Sequence, residues 1–143
     1  MDRRIVLIFC VLLTLTWFPS FGQGGQLTVT VMDIAPGAGQ IHVALYDSEA
    51  NFLKKHTFSQ SISADANSKD VLFTGLSEGE YAISVIHDEN ENGELDKNFL
   101  GVPREGFGFL NGVMGRFGPP QYDEVKIRWT GESQKVIVPL KYY

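Results

Sequence analysis

Beginning at Leu27 the chain alternates: Leu27, Val29 and Val31 are interleaved with Thr28, Thr30 and Met32, the period of two of a strand with one buried face. The period returns at Ile41, Val43 and Leu45 against His42, Ala44 and Tyr46. Between them, Pro36-Gly37-Ala38-Gly39 predicts a turn that pairs the two strands as a hairpin with a longer loop. Short strands are expected over residues 59–64 and 70–76, and a clear one over 80–87, with Tyr81, Ile83 and Val85 on one face. Two more, 124–129 and 135–140, flank the turn Thr130-Gly131-Glu132-Ser133. Residues 47–58 fit neither period and read as loop with at most a helical turn. Seven short strands without a sustained helical period predict an all-β fold, a seven-stranded antiparallel β-sandwich.

One stretch breaks the pattern. Residues 88–123 hold seven glycines and three prolines and no clean strand. They read as one long loop between the fifth and sixth strands. Phe99, Leu100, Val102, Phe107, Phe109, Leu110, Val113, Met114 and Phe117 make it too apolar for a solvated tail, so it is expected to be ordered and packed on the sandwich end.

Length and composition then limit the setting. At 143 residues and 43% apolar, the chain suits one domain. Arg3 and Arg4, the apolar run from Ile5 to Phe18 and the small residues before Gln23 have the layout of a secretory signal peptide over 1–22, leaving a single domain over 23–143. The run is shorter than the roughly 20 residues a membrane span needs. Cys10 lies inside it, too early and among residues too bulky for a lipid-anchored cysteine, so the exported chain is cysteine-free. The expected location is periplasmic or secreted, with no stable membrane insertion after cleavage. Beyond Arg4 remain 10 basic against 16 acidic side chains, a net of −6. That balance argues against nucleic acid or an anionic membrane as partner and is compatible with cations.

The candidate chemistry sits in His87-Asp88-Glu89-Asn90-Glu91-Asn92-Gly93-Glu94-Leu95-Asp96. Counting from Asp88, oxygen-bearing side chains fall at positions one, three, five and nine, Gly93 at six and Glu94 at seven, where a calcium loop uses its carbonyl. Position twelve is Phe99, where an EF-hand has a bidentate Glu, and a strand instead of a helix precedes the loop, so an EF-hand is excluded. What remains is a strand-borne calcium loop with Asp88, Asn90, Asn92, Glu94 and Asp96 as ligands. Its closing ligand would be Glu105, Asp123, Glu124 or water. With two neutral Asn among the ligands, a weak site is expected, with a dissociation constant of roughly 10⁻⁴ to 10⁻³ M. The competing reading is an Asn-Gly turn whose side chains bond their own backbone. His87 is expected to be a solvent-facing or supporting residue that could orient Asp88.

Little else carries chemistry. His42, His56 and His87 are too scattered for zinc, and no nucleophile elbow is present, so no enzyme is expected. Gly106-Phe107-Gly108-Phe109 and Gly118-Pro119-Pro120-Gln121-Tyr122 allow two readings: a platform for a small hydrophobic or aromatic ligand formed by Arg104, Phe107, Phe109 and Tyr122, or rings that plug the sandwich end. Arg104 and Glu105 would be a local ion pair or the loop's binding head. The Tyr142-Tyr143 terminus looks like that of a membrane barrel strand, but the strands are too short for one.

The ordered series Phe73-Thr74-Gly75-Leu76, Gly79-Glu80-Tyr81-Ala82, His87-Asp88-Glu89-Asn90, Asn92-Gly93, Leu95-Asp96, Phe99-Leu100-Gly101-Val102-Pro103, Glu105-Gly106-Phe107-Gly108-Phe109 and Phe117-Gly118-Pro119-Pro120 resembles a bacterial exported family, domain of unknown function 2141, over essentially the whole chain after the leader. The shorter Phe-x-x-Leu-x-x-Gly-x-Tyr pattern is similar to prealbumin-like sandwiches. The resemblance implies a Gram-negative exported protein and no established activity. One departure, Leu110 before Asn111-Gly112, leaves the register of the second half of the long loop open.

Overall fold

The computed structural model describes residues 24–143. The expected signal peptide and Cys10 lie outside them. The fold is all-β: β1 (Leu27–Met32), β2 (Gln40–Tyr46), β3 (Phe58–Ser63), β4 (Lys69–Phe73), β5 (Gly79–Asp88), β6 (Gly106–Phe109), β7 (Lys126–Trp129) and β8 (Gln134–Pro139), with two single 3-10 turns before β7. A three-stranded sheet runs β4-β1-β8, and a five-stranded sheet runs β3-β2-β5 with β6 and β7 end to end along the far edge of β5.

The alternating residues do what the pattern predicts, in a sandwich-like arrangement. Leu27, Val29 and Val31 of β1 are fully buried, as are Ile41, Val43 and Leu45 of β2 and Ile83 of β5. Val71, Phe73, Trp129, Val136 and Val138 complete this core. Burying each such side chain stabilises the fold by about 1.5–3 kcal/mol before entropy is counted.

Two expectations fail. β1 and β2 do not form a hairpin: β1 pairs antiparallel with β4 and parallel with β8, while β2 pairs with β3 and β5. Residues 33–39 therefore cross between sheets, anchored by buried Ile34, whose N–H bonds the Asn67 carbonyl at 2.9 Å. Period-two alternation says which face is buried and nothing about the neighbour, and the β1–β8 pair also makes the fold mixed and not purely antiparallel.

The second failure is the strand count, eight instead of seven, because the long loop contains β6. Its sequence, Gly-Phe-Gly-Phe, has low strand propensity, and its glycines are demanded from outside. A Cβ on Gly106 would overlap the Tyr142 ring, and one on Gly108 would overlap the Pro139 carbonyl. Both glycines face inward where the C-terminal strand crosses. The supposed single loop is thus two, 89–105 and 110–125.

Phe107 and Phe109 point to the opposite face, opposite Ile86 and Ser84. There Phe52 gathers Tyr46, Tyr122 and Phe109 at ring separations of 5.4, 5.9 and 6.4 Å, forming an aromatic layer over fully buried Ala82. The 47–57 segment supplies Phe52 and so covers the outer face of the five-stranded sheet.

A self-closed polar loop as candidate functional site

β5 is the longest strand, at 10 residues, and its last two side chains point to opposite faces. His87 turns inward and Asp88 outward, yet both are buried, at 2% and 1% exposure. A buried carboxylate requires hydrogen-bond partners. Asp88 has three: Oδ2 accepts from the Gly93 N–H at 2.7 Å and the His42 ring at 3.2 Å, and Oδ1 accepts from the Asn92 N–H at 3.1 Å. Burial, the largest single influence, pushes this carboxyl up, but the Gly93 N–H, the His42 ring and the Asn92 N–H together hold it below its ordinary value.

His42 reaches Asp88 because Gln40 pairs with Asp88 across β2 and β5, which places the next outward position beside the carboxylate. With Nε2–H given to Asp88, Nδ1 is the acceptor for the Ser61 hydroxyl at 2.6 Å on β3. Gly39, at φ +91°, lies so close to the Asp88 carbonyl and Glu89 Cα that no Cβ fits there.

A second buried carboxylate closes the loop. Glu105, 5% exposed, accepts the Glu89 N–H on Oε1 and the Asp96 N–H on Oε2, each at 2.9 Å. It thereby ties the strand end, the far side of the loop and the start of β6 together. Arg104 forms no ion pair with it among the described residues.

Within this frame the Asn oxygens bond their own backbone, as the turn reading expects, and the Asn amide nitrogens converge on Asp96. Asn90 Oδ1 accepts the Asn92 N–H at 3.1 Å, and Asn92 Oδ1 accepts the Glu94 N–H at 2.8 Å. Their amide nitrogens donate to the two oxygens of Asp96, at 2.7 and 3.1 Å. Four of the five expected ligands, Asp88, Asn90, Asn92 and Asp96, are thus linked in one network, while the Glu94 side chain is exposed. Of the three expected closing carboxylates only Glu105 is present at the loop. Asp123 pairs with Lys126 at 2.7 Å, and Glu124 accepts the Gln121 N–H at 2.7 Å in a capping box. Among the described residues, no three His, Cys, Asp or Glu side chains group as a metal set.

His87 differs from its expected role. It does not touch Asp88 and is not solvent-facing. Its Nε2–H donates to the Ala38 carbonyl at 3.0 Å, and its Nδ1 accepts from the Tyr142 hydroxyl at 2.8 Å, which itself accepts the Ala35 N–H at 3.0 Å. This latch pins the 33–39 crossing to the C-terminus. Burial pushes the Tyr142 hydroxyl up.

The proposed ligand platform is not brought together as a surface. Phe109 and Tyr122 are buried in the aromatic layer, Phe107 is half-buried beneath a stacked Tyr143, and Arg104 lies exposed at the neck of a separate hairpin. Two shallow, open depressions lie elsewhere, one beside Gln26 and Lys135 and one beside Glu80 and Arg128.

Residues 29–137 match a family described as an uncharacterized protein conserved in bacteria, DUF2141. No curated protein and no solved structure matches the chain.

Proposed function

The chain belongs to the uncharacterized bacterial family DUF2141, and from that premise we propose that it is an exported, non-catalytic β-sandwich module whose 88–96 loop is a weak calcium site. The observation that carries the reading is the convergence of Asn90 and Asn92 on Asp96 beside the buried Asp88. Two amide donors now occupy the space in front of Asp96. A cation there would take their place, and a half-turn of each amide about Cβ–Cγ would present Oδ1 in exchange for Nδ2.

The competition explains why affinity should be low. Binding sacrifices the Asn90 and Asn92 bonds to backbone N–H groups, and only Asp96 of the convergent side chains lacks a buried carboxylate's other duties. Ser61, His42 and Asp88 form a hydrogen-bonded chain in the order of a Ser-His-Asp triad; because Asp88 also holds the Asn92 and Gly93 N–H groups, we read that chain as a brace for the loop.

The test is thermal melting of residues 24–143 in chelator and then in calcium. At about 1 mM calcium and a dissociation constant near 10⁻⁴ M, linkage stabilises by about 1.4 kcal/mol, which raises the midpoint by about 3–6 °C. Asp96→Asn should remove that shift while leaving the chelator midpoint nearly unchanged. A midpoint indifferent to calcium overturns the metal reading and leaves the loop as a turn. Export is tested separately, by fractionating cells that produce the full chain and sequencing its N-terminus.

A further inference from the structure

Beyond Asp96 the chain folds into a hairpin that is braced at every turn but carries its apolar side chains outward. Lys97 bridges Pro103, the Arg104 N–H bonds the Asp96 carbonyl at 2.8 Å, and the Asn98 N–H bonds the Val102 carbonyl at 2.8 Å. At the apex the Asn98 side chain accepts the N–H groups of Leu100 and Val102, at 2.9 and 3.0 Å. The base is fixed by Glu105, through the Asp96 N–H. Despite this order, Phe99 is 94% exposed and Leu100 72%.

A second tip repeats the arrangement. In the loop after β6, Phe117 is fully exposed, and Gly115 packs so tightly against the carbonyls of Gly118 and Pro119 that a Cβ has no room. Cationic residues accompany both tips along the chain: Lys97 and Arg104 at the neck of the hairpin, and Arg116 next to Phe117. None of these three forms an ion pair among the described residues, whereas Lys69, Lys126 and Lys135 do. Scattered single apolar residues on a surface need no explanation, but large side chains held at the apex of ordered protrusions do.

We propose that the 96–104 hairpin and the Phe117 tip seat the protein reversibly on a zwitterionic lipid interface, with Phe99, Leu100 and Phe117 entering the acyl boundary and Lys97, Arg104 and Arg116 meeting lipid phosphates. The tips are convex, so a protein partner would have to supply a matching cavity, whereas a bilayer deforms around a protrusion. Apolar apices flanked by long cations match the depth order of acyl chain and phosphate. The acidic excess of the chain disfavours a strongly anionic surface, so the phosphate is that of a zwitterionic lipid. This contact needs no cation in the 88–96 loop, because the braces are all protein bonds.

Residues 24–143 contain both sheets and the whole described core, and they are the species to test, in chelator, with vesicles of phosphatidylcholine and phosphatidylethanolamine. Sedimentation with the vesicles is expected, falling about tenfold or more when Phe99→Ser, Leu100→Ser and Phe117→Ser are combined. Replacing Lys97, Arg104 and Arg116 by Ser should lower it several-fold. A Phe99→Trp variant gives a direct readout against buried Trp129: its emission should shift to the blue on adding vesicles and be quenched by brominated acyl chains. The proposal is overturned by absence of sedimentation of the unaltered chain, by undiminished sedimentation of the triple Ser variant, or by Phe99→Trp emission that vesicles leave unchanged. The melting midpoint shows whether the triple variant is folded; were it not, the Phe99→Trp emission decides.

Discussion

Glu105 offers the sharpest test of how the loop is built, because one side chain holds both ends of it. Its two oxygens each accept a backbone N–H at 2.9 Å, from Glu89 and from Asp96, and the group is 5% exposed. Glu105→Gln keeps the shape and one acceptor but presents an NH₂ to the other N–H. One charge-assisted bond is lost, worth about 1.5–3 kcal/mol, and the bond that survives is to a neutral acceptor of roughly half the strength. The expected loss is therefore about 2–4 kcal/mol. Urea unfolding of residues 24–143 measures it, with Glu94→Gln as the control, since Glu94 is exposed and its substitution should stay within about 0.5 kcal/mol of the parent. Hydrogen exchange at Glu89 and Asp96 should accelerate in Glu105→Gln ahead of the core strands. If Glu105→Gln were as stable as Glu94→Gln, the carboxylate would not be the clamp described.

Other outcomes follow from the same geometry. Because the folded Asp88 carboxyl titrates below its unfolded value of about 3.9, its contribution is present above that pH and is lost as pH falls through the folded value; urea midpoints measured from pH 6 downward should drop less steeply in Asp88→Asn than in the parent. Gly108→Ala should cost at least about 1–3 kcal/mol, since its Cβ would meet the Pro139 backbone, whereas Gly24→Ala, with nothing nearby, should be neutral in the same melt. Phe109→Ala, opening a void in the aromatic layer, should cost about 3–5 kcal/mol by urea unfolding.

Much of the architecture is legible in the alternation of β1, β2, β5 and β8, because a buried face writes itself into every second residue. What alternation omits is who lies alongside. The pairing of β1 with β8 joins residues more than 100 positions apart, as Leu27 with Gln134, and no local signal marks it. β6 is the converse case. Its glycines weaken any strand reading taken locally, and they are required only because Tyr142 and Pro139 arrive from the far end of the chain. Exposed Phe99 and Phe117 mislead in another way, since apolar content excludes a solvated tail but does not say that every ring finds a core.

The polar loop divides along the same line. Asn90 with Asn92 and Asn92 with Glu94 are bonds two residues apart, so the turn reading of the sequence is enough to find them. The groups that decide whether those oxygens are free for a cation come from outside: His42 on β2, delivered by strand register from 46 positions away, and Glu105, one of three carboxylates that spacing alone could not rank. They act in opposite directions on metal binding. By taking Oδ2 of Asp88, His42 and Gly93 remove a ligand lone pair, while Glu105, by holding the backbone of Glu89 and Asp96, fixes Asp96 where Asn90 and Asn92 meet it. A His42→Ala variant should therefore weaken the fold yet tighten calcium relative to the parent, because it frees one of the two Oδ2 lone pairs while the Gly93 N–H keeps the other, and Glu105→Gln should weaken both. Calorimetric titration of the two variants at a temperature where each stays folded distinguishes this from a loop that is only a turn, for which neither variant would take up calcium.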